Sequence, residues 1–317
     1  MTAATRPDIE LLPPAAAEFL DSLRLQRRMS PHTLAAYRRD LDELKALSGS
    51  LPLEQVGPAD VRRFIARMHA GGLSAESLAR RLSAWRSFYR WLGQHGRVAS
   101  NPADGVRAPK RAKRLPKALA PDQAVRLAAH STDGSPLQLR DRAMVELLYS
   151  SGLRLSELVG LDWRHFSAQG NRPASASWID LESRQVTVLG KGSKTRAVPI
   201  GRAAVDALRR WLAARAQIRS ADERALFVSE RGGRIAPRSV QRRLELLARR
   251  LGLGVHVHPH VLRHSMASHV LQSSGDLRAV QELLGHANIS TTQIYTKLDW
   301  QHLAKAYDAA HPRAKRR

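Results

Sequence analysis

The sequence predicts a mainly α protein: a helical N-terminal domain plus a mostly helical second domain with a small antiparallel β-sheet. Three observations predict it. Through most of the chain, large apolar residues recur at spacings of three and four, the mark of helices with one buried face. Only two runs, residues 185–189 and 196–200, are β-branched and close enough to form a hairpin, across a glycine-bearing connection. At 317 residues the chain is too long for one small core, so about two domains are expected.

In the first domain, Ser30-Pro31 opens a helix with a capping hydroxyl ahead of a proline at the first helical position. Leu34, Tyr37, Leu41, Leu44 and Leu47 make its apolar face. Pro58-Ala59-Asp60 starts the next, which carries Val61, Phe64, Ile65 and Met68 and is broken at Gly71-Gly72. A third runs over residues 74–92 with Leu78, Leu82, Trp85, Phe88, Tyr89 and Trp91 inward. Its Arg80, Arg81, Arg86 and Arg90 lie on other faces, either toward DNA or as a plain solvated surface. Residues 107–117 hold six cations, two prolines and no acid. Proline and like-charge repulsion oppose a helix there, so this is the expected linker, lying along a phosphate backbone or acting as a simple tether. The expected boundaries are therefore residues 1–106, 107–117 and 118–317.

The second domain begins with a helix near Pro121-Asp122 and another over residues 140–149, rich in Met144, Val145, Leu147 and Leu148. Ser151-Gly152 turns the chain into a helical pattern that starts around Arg154. Gly190, Lys191 and Gly192 sit in the hairpin connection, and residues 225–229 offer an edge strand. From Pro237 onward the pattern is helical again, interrupted at Gly252, Gly275 and Gly285. Residues 167–177 are small and polar, the composition of a surface loop, and leave open the register of the strand that follows.

Charge and composition narrow the function. Lys plus Arg number 52 against 28 Asp plus Glu, a formal net charge of +24. Such an excess predicts attraction to a polyanion, with affinity that falls steeply as salt rises. The absence of cysteine excludes disulfides, thiol catalysis and cysteine-based metal or iron–sulfur sites. No apolar run approaches the roughly 20 residues of a membrane span, and no signal pattern opens the chain. A cytoplasmic protein without membrane insertion is expected.

The most informative run holds His260, Arg263, His286 and Tyr295 within 36 residues. Phosphodiester chemistry needs fixed cations and donors for an anionic transition state, and a phenol serves as a nucleophile once a base takes its proton. His260 and Arg263, three apart, share one face of a helical turn. Each candidate alone also has an ordinary explanation. Arg154 fits a surface arginine, Lys191 a common glycine–lysine turn, His260 and His286 helix caps, and Tyr295 a core tyrosine.

Their order supplies more. Arg154, Lys191, His260-x-x-Arg263, His286 and Tyr295 resemble the signature of the tyrosine recombinase (phage integrase) family. Specific phrases carry the likeness: Ser-Gly-Leu-Arg154-Leu-Ser-Glu157-Leu, Leu-Gly-Lys191-Gly-Ser-Lys, His260-Val-Leu-Arg263-His-Ser, and Leu-Gly-His286 through Ile-Tyr295-Thr. The segment from Leu298 on is similar to the tail of the family's XerC type rather than its XerD type.

The resemblance implies a core-binding, SAM-like helical domain for DNA and a catalytic domain that ends in a docking helix. It implies that Tyr295 attacks a scissile phosphate, leaving a 3′-phosphotyrosine and a free 5′-hydroxyl. Arg154 and Arg263 would clamp the non-bridging oxygens, Lys191 protonate the leaving oxygen, His260 accept the phenol proton, and His286 donate a hydrogen bond. Glu157 would hold structure around Arg154. Neither a cofactor nor a metal is implied. The implied partners are a double-stranded recombination site, a XerD-type recombinase in a heterotetramer, and an FtsK-type DNA translocase, for resolving chromosome or plasmid dimers at cell division. The docking helix would reach a neighbouring subunit in the family's manner, with packing on its own domain as the alternative. Arg238, Gln241 and Arg242, near the start of the helix opened by Pro237, are candidates for base contact or for a solvated face. The competing functions are a phage- or integron-type integrase, a type IB topoisomerase, and a non-catalytic basic DNA-binding protein. The XerC-like tail and the lack of an added arm-binding domain argue against the integrase.

Overall fold

Helix caps and apolar faces build both halves of the molecule. A computed structural model describes residues 12–27, 29–109, 118–190, 195–218, 222–276, 280, 283–284 and 310–313. The chain divides into two units, Met1–Arg114 and Leu115–Arg317.

The first unit contains α1 (Pro14–Leu25), α2 (Pro31–Ser48), α3 (Pro58–Ala70) and α4 (Ala75–Gln94). Ser30 caps α2 by accepting the Thr33 N–H at 3.2 Å, and Ser74 caps α4 through Ser77 in the same way. Asp60 reaches back to the Gly57 N–H at 3.0 Å and caps α3. Phe19, Leu41, Leu44, Phe64, Leu78, Trp85 and Phe88 close the core. The sequence reading did not mark α1, because half of its buried face is alanine: Ala15 and Ala16 with Phe19 and Leu23. Three of the four arginines read on the outer faces of α4 have work inside the unit. Arg80 pairs with the buried Asp40, Arg81 with Glu43 at 3.1 Å, and Arg86 donates to the carbonyls of Ala103 and Val106. Arg90 is exposed.

The second unit contains α5 (Pro121–Ala128), α6 (Pro136–Ser151), α7 (Leu155–Val159), α8 (Arg202–Arg215), α9 (Pro237–Arg250) and α10 (Pro259–Ser274) with a three-stranded sheet. The central helix is α6, which packs against α5, α8, α9 and α10 and touches the sheet. Its last nine residues are all buried, the pattern of a core helix rather than a surface one. Strands β1 (Trp178–Asp180), β2 (Gln185–Leu189) and β3 (Thr195–Pro199) pair antiparallel in the order β1-β2-β3. The expected hairpin is there, with β3 one residue earlier than its β-branched run suggested. Residues 225–229 make bridges (Asp162 to Ala225, Val228 to Arg234) rather than a strand of the sheet.

Two further elements, besides α1, escaped the sequence. Helix α8 builds its buried face from Ala204, Val205, Ala207, Leu208, Trp211 and Ala214, half of it alanine, so the period of large residues is diluted. Strand β1 is three residues long, too short to show alternation. Its register is Trp178 to Thr187, and the polar stretch before it is tied down. Ser175 Oγ donates to Asp162 at 2.6 Å and accepts the Phe166 N–H at 2.9 Å, while Ser177 Oγ accepts the Leu189 N–H at 3.0 Å.

The last described residues return to α6 of the same chain. His311 Nε2 donates to the Tyr149 carbonyl at 3.1 Å, and Arg313 pairs with the buried Glu146. Residues 298–309, which hold most of the expected docking helix, lie outside the described residues. No described helix is long and apolar enough to cross a membrane.

Candidate active site

Gly152 makes the turn on which the site is built. It caps α6 in the left-handed region at φ 56°, and a Cβ there would stand 2.1 Å from the Met266 methyl group on α10. Glycine alone meets both demands without strain or displacement. The chain then enters α7 through Arg154, whose backbone N–H donates to Glu157 Oε2 at 2.9 Å. A glutamate at this helix position satisfies a donor that the helix leaves open.

Glu157 does more than cap. Its Oε1 accepts Arg154 Nη1 at 2.7 Å and Arg196 Nη1 at 2.8 Å, and its Oε2 accepts Arg196 Nη2 at 2.9 Å. The Glu157 side chain is 4% exposed and that of Arg196 9%, whereas Arg154 keeps 35% in solvent. Burial by itself would raise the Glu157 carboxyl. The hydrogen bonds and charge of Arg196, joined by the donors of Arg154, outweigh it and hold the carboxyl below its ordinary value.

Arg263 enters from α10 and donates to the carbonyls of Gly152 and Leu284. Its guanidinium is pushed down to about 10, by burial first and then by the charge of Arg154, with Glu157 opposing and Arg196 adding. Two guanidiniums thus bind one carboxylate, and a third, that of Arg263, stands near enough to feel the charges of Glu157 and Arg154. An anion with several acceptor oxygens, such as a phosphodiester, is the complement of that excess.

His260 is exposed on the first turn of α10, one turn before Arg263. Its ring lies 6.1 Å from that of His258, which lies 5.7 Å from that of His256. Burial, then the neighbouring His256 and His260, lowers His258 from its ordinary value. Arg238, Gln241, Arg242 and Glu245 of α9 join His256 and His258 around an open cleft of about 420 Å³. The candidates for base contact therefore share a cleft beside the His260 end of α10. Among the described residues, no group of three or more His, Asp or Glu could hold a metal ion.

The structure thus brings Arg154 and Arg263 together and sets His260 on the helix that carries Arg263. Lys191, His286 and Tyr295 lie outside the described residues, although the pair Leu189 to Thr195 fixes the base of the hairpin that holds Lys191. Arg196 was missed by the sequence reading. Its signal was present: alternation along β3 places it on the buried face with Val198, opposite Val188. A lone charge on the core face of a strand demands a partner.

Comparison with known proteins follows the same two units. A model of the phage integrase family matches residues 117–302, and one of the phage integrase N-terminal SAM-like domain matches residues 16–96. The chain is 54% identical over 314 residues to tyrosine recombinase XerC 1 of Ralstonia nicotianae, covering 96% of this chain and 95% of that protein. It is 52% identical over 319 residues to tyrosine recombinase XerC of Xanthomonas campestris pv. campestris, covering 100% and 94%. Among solved structures, the Tn1549 transposon integrase with transposon right-end DNA has the same fold, with a TM-score of 0.66 at 17% identity over 92% of this chain and 98% of that one.

Proposed function

The chain belongs to the phage integrase family and is a site-specific tyrosine recombinase, and from that premise we propose how its own residues cut and rejoin DNA. Tyr295 attacks the scissile phosphate and becomes a 3′-phosphotyrosine, releasing a 5′-hydroxyl. His260 takes the phenol proton, and Lys191 protonates the departing 5′-oxygen. Arg154 and Arg263 bind the non-bridging oxygens, where charge grows in the transition state, and His286 adds a hydrogen bond. The energy of the phosphodiester stays in the covalent adduct, so a second 5′-hydroxyl can reverse the step and join strands.

The observation that carries this reading is the cluster at Glu157, where three cations face one anion. Residues 1–106 act as the core-binding domain, residues 107–117 as the linker, and residues 118–317 as the catalytic domain. Arg238, Gln241 and Arg242 contact bases from the cleft beside α10.

The chain works in the cytoplasm as the XerC-type member of a heterotetramer on a double-stranded recombination site. A XerD-type recombinase supplies the other pair of active sites, and an FtsK-type DNA translocase is a further partner in resolving chromosome or plasmid dimers at cell division. Near-full-length identity to two proteins named XerC supports that assignment.

The test is a nicked duplex that carries a candidate recombination site, incubated with the protein and run on a denaturing gel. Wild type forms a protein–DNA adduct that protease removes, and Tyr295→Phe binds the duplex without forming one. An adduct in that variant transfers the nucleophile elsewhere and ends the assignment of Tyr295.

A further inference from the structure

Arg196 is the residue of the cluster to which the mechanism gives no task. It sits on β3, one residue past the strand's first position and five beyond Lys191. Its side chain is 91% buried, and both terminal nitrogens are committed to Glu157, one to each oxygen. Its Nε is buried and has no hydrogen-bond partner. Such a residue is poorly explained by stability alone, because a buried ion pair can often be replaced by apolar side chains at no loss. Here the guanidinium carries an unmet donor as well.

The four contacts at Glu157 divide evenly. Each carboxylate oxygen accepts one bond from Arg196 and one from Arg154, from its side chain at Oε1 and its backbone at Oε2. Without Arg196, a buried carboxylate would be opposed chiefly by Arg154. The Arg154 guanidinium, already bonded to Oε1, would then carry most of that charge alone and attract a phosphate less. The same bidentate contact also ties the start of β3, and so the base of the hairpin holding Lys191, to the α7 turn.

We propose that Arg196 is a positioning residue for strand cleavage: it shares the charge of Glu157 with Arg154, so that Arg154, held by Glu157, still attracts the scissile phosphate, and it ties the start of β3 to the α7 turn. This rests on the recombinase mechanism proposed above. Arg196 touches neither the phosphate nor the nucleophile in this scheme and acts only through Glu157.

The test measures two quantities on the nicked duplex: affinity for one half-site, and the single-turnover rate of adduct formation at saturating protein. Arg196→Met is expected to slow adduct formation by about 10- to 100-fold, a fraction of the loss expected from a lost transition-state donor, with affinity changed by less than about threefold. Adding Glu157→Gln to Arg196→Met removes the charge that Arg196 served and is expected to recover part of the rate. A purely structural Arg196 predicts the opposite: lower thermal stability, an unchanged rate per folded molecule, and no recovery in the double variant. Either the unchanged rate or the missing recovery overturns the proposal. If Arg196→Met does not fold, Arg196→Lys carries the test, because one ammonium cannot serve both oxygens in this geometry. Its rate must fall at unchanged affinity, and a wild-type rate refutes the role. If wild type itself makes no adduct, the recombinase mechanism fails instead, which separates the two outcomes.

Discussion

Glu157 and Glu146 are both buried in the second unit, in opposite surroundings. Glu157 meets two guanidiniums directly and a third nearby, and its carboxyl lies below its ordinary value. Glu146, on α6, meets the guanidinium of Arg313 directly, with the charges of Arg142 and Asp206 acting on it in opposite directions. Burial dominates there, and the carboxyl is raised despite the hydrogen bond and charge of Arg313. The difference separates two uses of a buried carboxylate. A carboxylate whose neighbouring charges balance, Arg313 and Arg142 against Glu146 and Asp206, is an anchor, and here it seats the chain end on α6. A carboxylate surrounded by more cations than it can neutralise leaves an excess of positive charge, which the proposed mechanism uses to hold the phosphate.

The largest effect should come from breaking the excess. Arg154→Ala is expected to cut adduct formation on the nicked duplex by about 10²- to 10³-fold, the loss typical of one transition-state donor. Arg313→Ala, the equivalent deletion at the anchor, should leave that rate within a few-fold of wild type. Equal losses at both sites would erase the distinction.

Stability comes next. Glu157→Ala leaves Arg196 charged and buried, a change expected to cost about 3–5 kcal/mol in urea unfolding. Glu146→Ala leaves Arg313, already 19% exposed, able to swing into water, and should cost less. A greater loss for Glu146→Ala would mean that the chain-end anchor, not the anion site, carries more of the fold.

The two carboxylates should also give opposite slopes with pH. The folded value of Glu157 lies below its ordinary 4.5, so its stabilisation is present above pH 4.5 and is lost as pH falls toward the folded value. The folded value of Glu146 lies above 4.5, so its contribution is full below pH 4.5 and is lost as pH rises through the folded value. Melting curves across this range should flatten on the acid side for Glu157→Gln and on the alkaline side for Glu146→Gln. The same slope change in both variants would contradict the opposed surroundings.

The smallest effect concerns His311, pushed by burial from the ordinary 6.5 down to about 3. Its Nδ1 accepts the Arg313 N–H at 3.0 Å, and its Nε2 donates to Tyr149, an arrangement that requires the neutral ring. Its contribution is whole above pH 6.5 and fades as pH falls toward about 3. Protection factors for amide exchange at Ala310, His311 and Arg313, taken after correction for the intrinsic pH dependence, should therefore fall in mild acid, and His311→Gln should weaken that dependence. Protection factors that ignore pH in this range would remove His311 from the anchor.

The parts of the fold visible in the sequence are those with a short repeat. The face of α2 shows in Leu34, Leu41 and Leu44, and the hairpin in two β-branched runs about a glycine connection. Helices α1 and α8 stayed hidden because alanine supplies much of their buried faces, and alanine has too little surface to mark a face by contrast. At the site, motif order pointed to Arg154 and Arg263, and the structure joins them. Arg80 lies outward as read, though it also pairs with Asp40 of α2, whereas Arg81 and Arg86 are half-buried, drawn to Glu43 of α2 and to the carbonyls of residues 103 and 106.

By itself the sequence determined the helical class, the family and the order of the candidate residues, because caps, periods and motifs are written in neighbouring positions. Only the tertiary structure decided the company each charge keeps. Glu157 meets Arg196 across 39 positions, and Glu146 meets Arg313 across 167. A charge takes its ionisation and its reach from whatever stands within a few ångströms. Contacts made between distant elements leave no periodic trace along the chain.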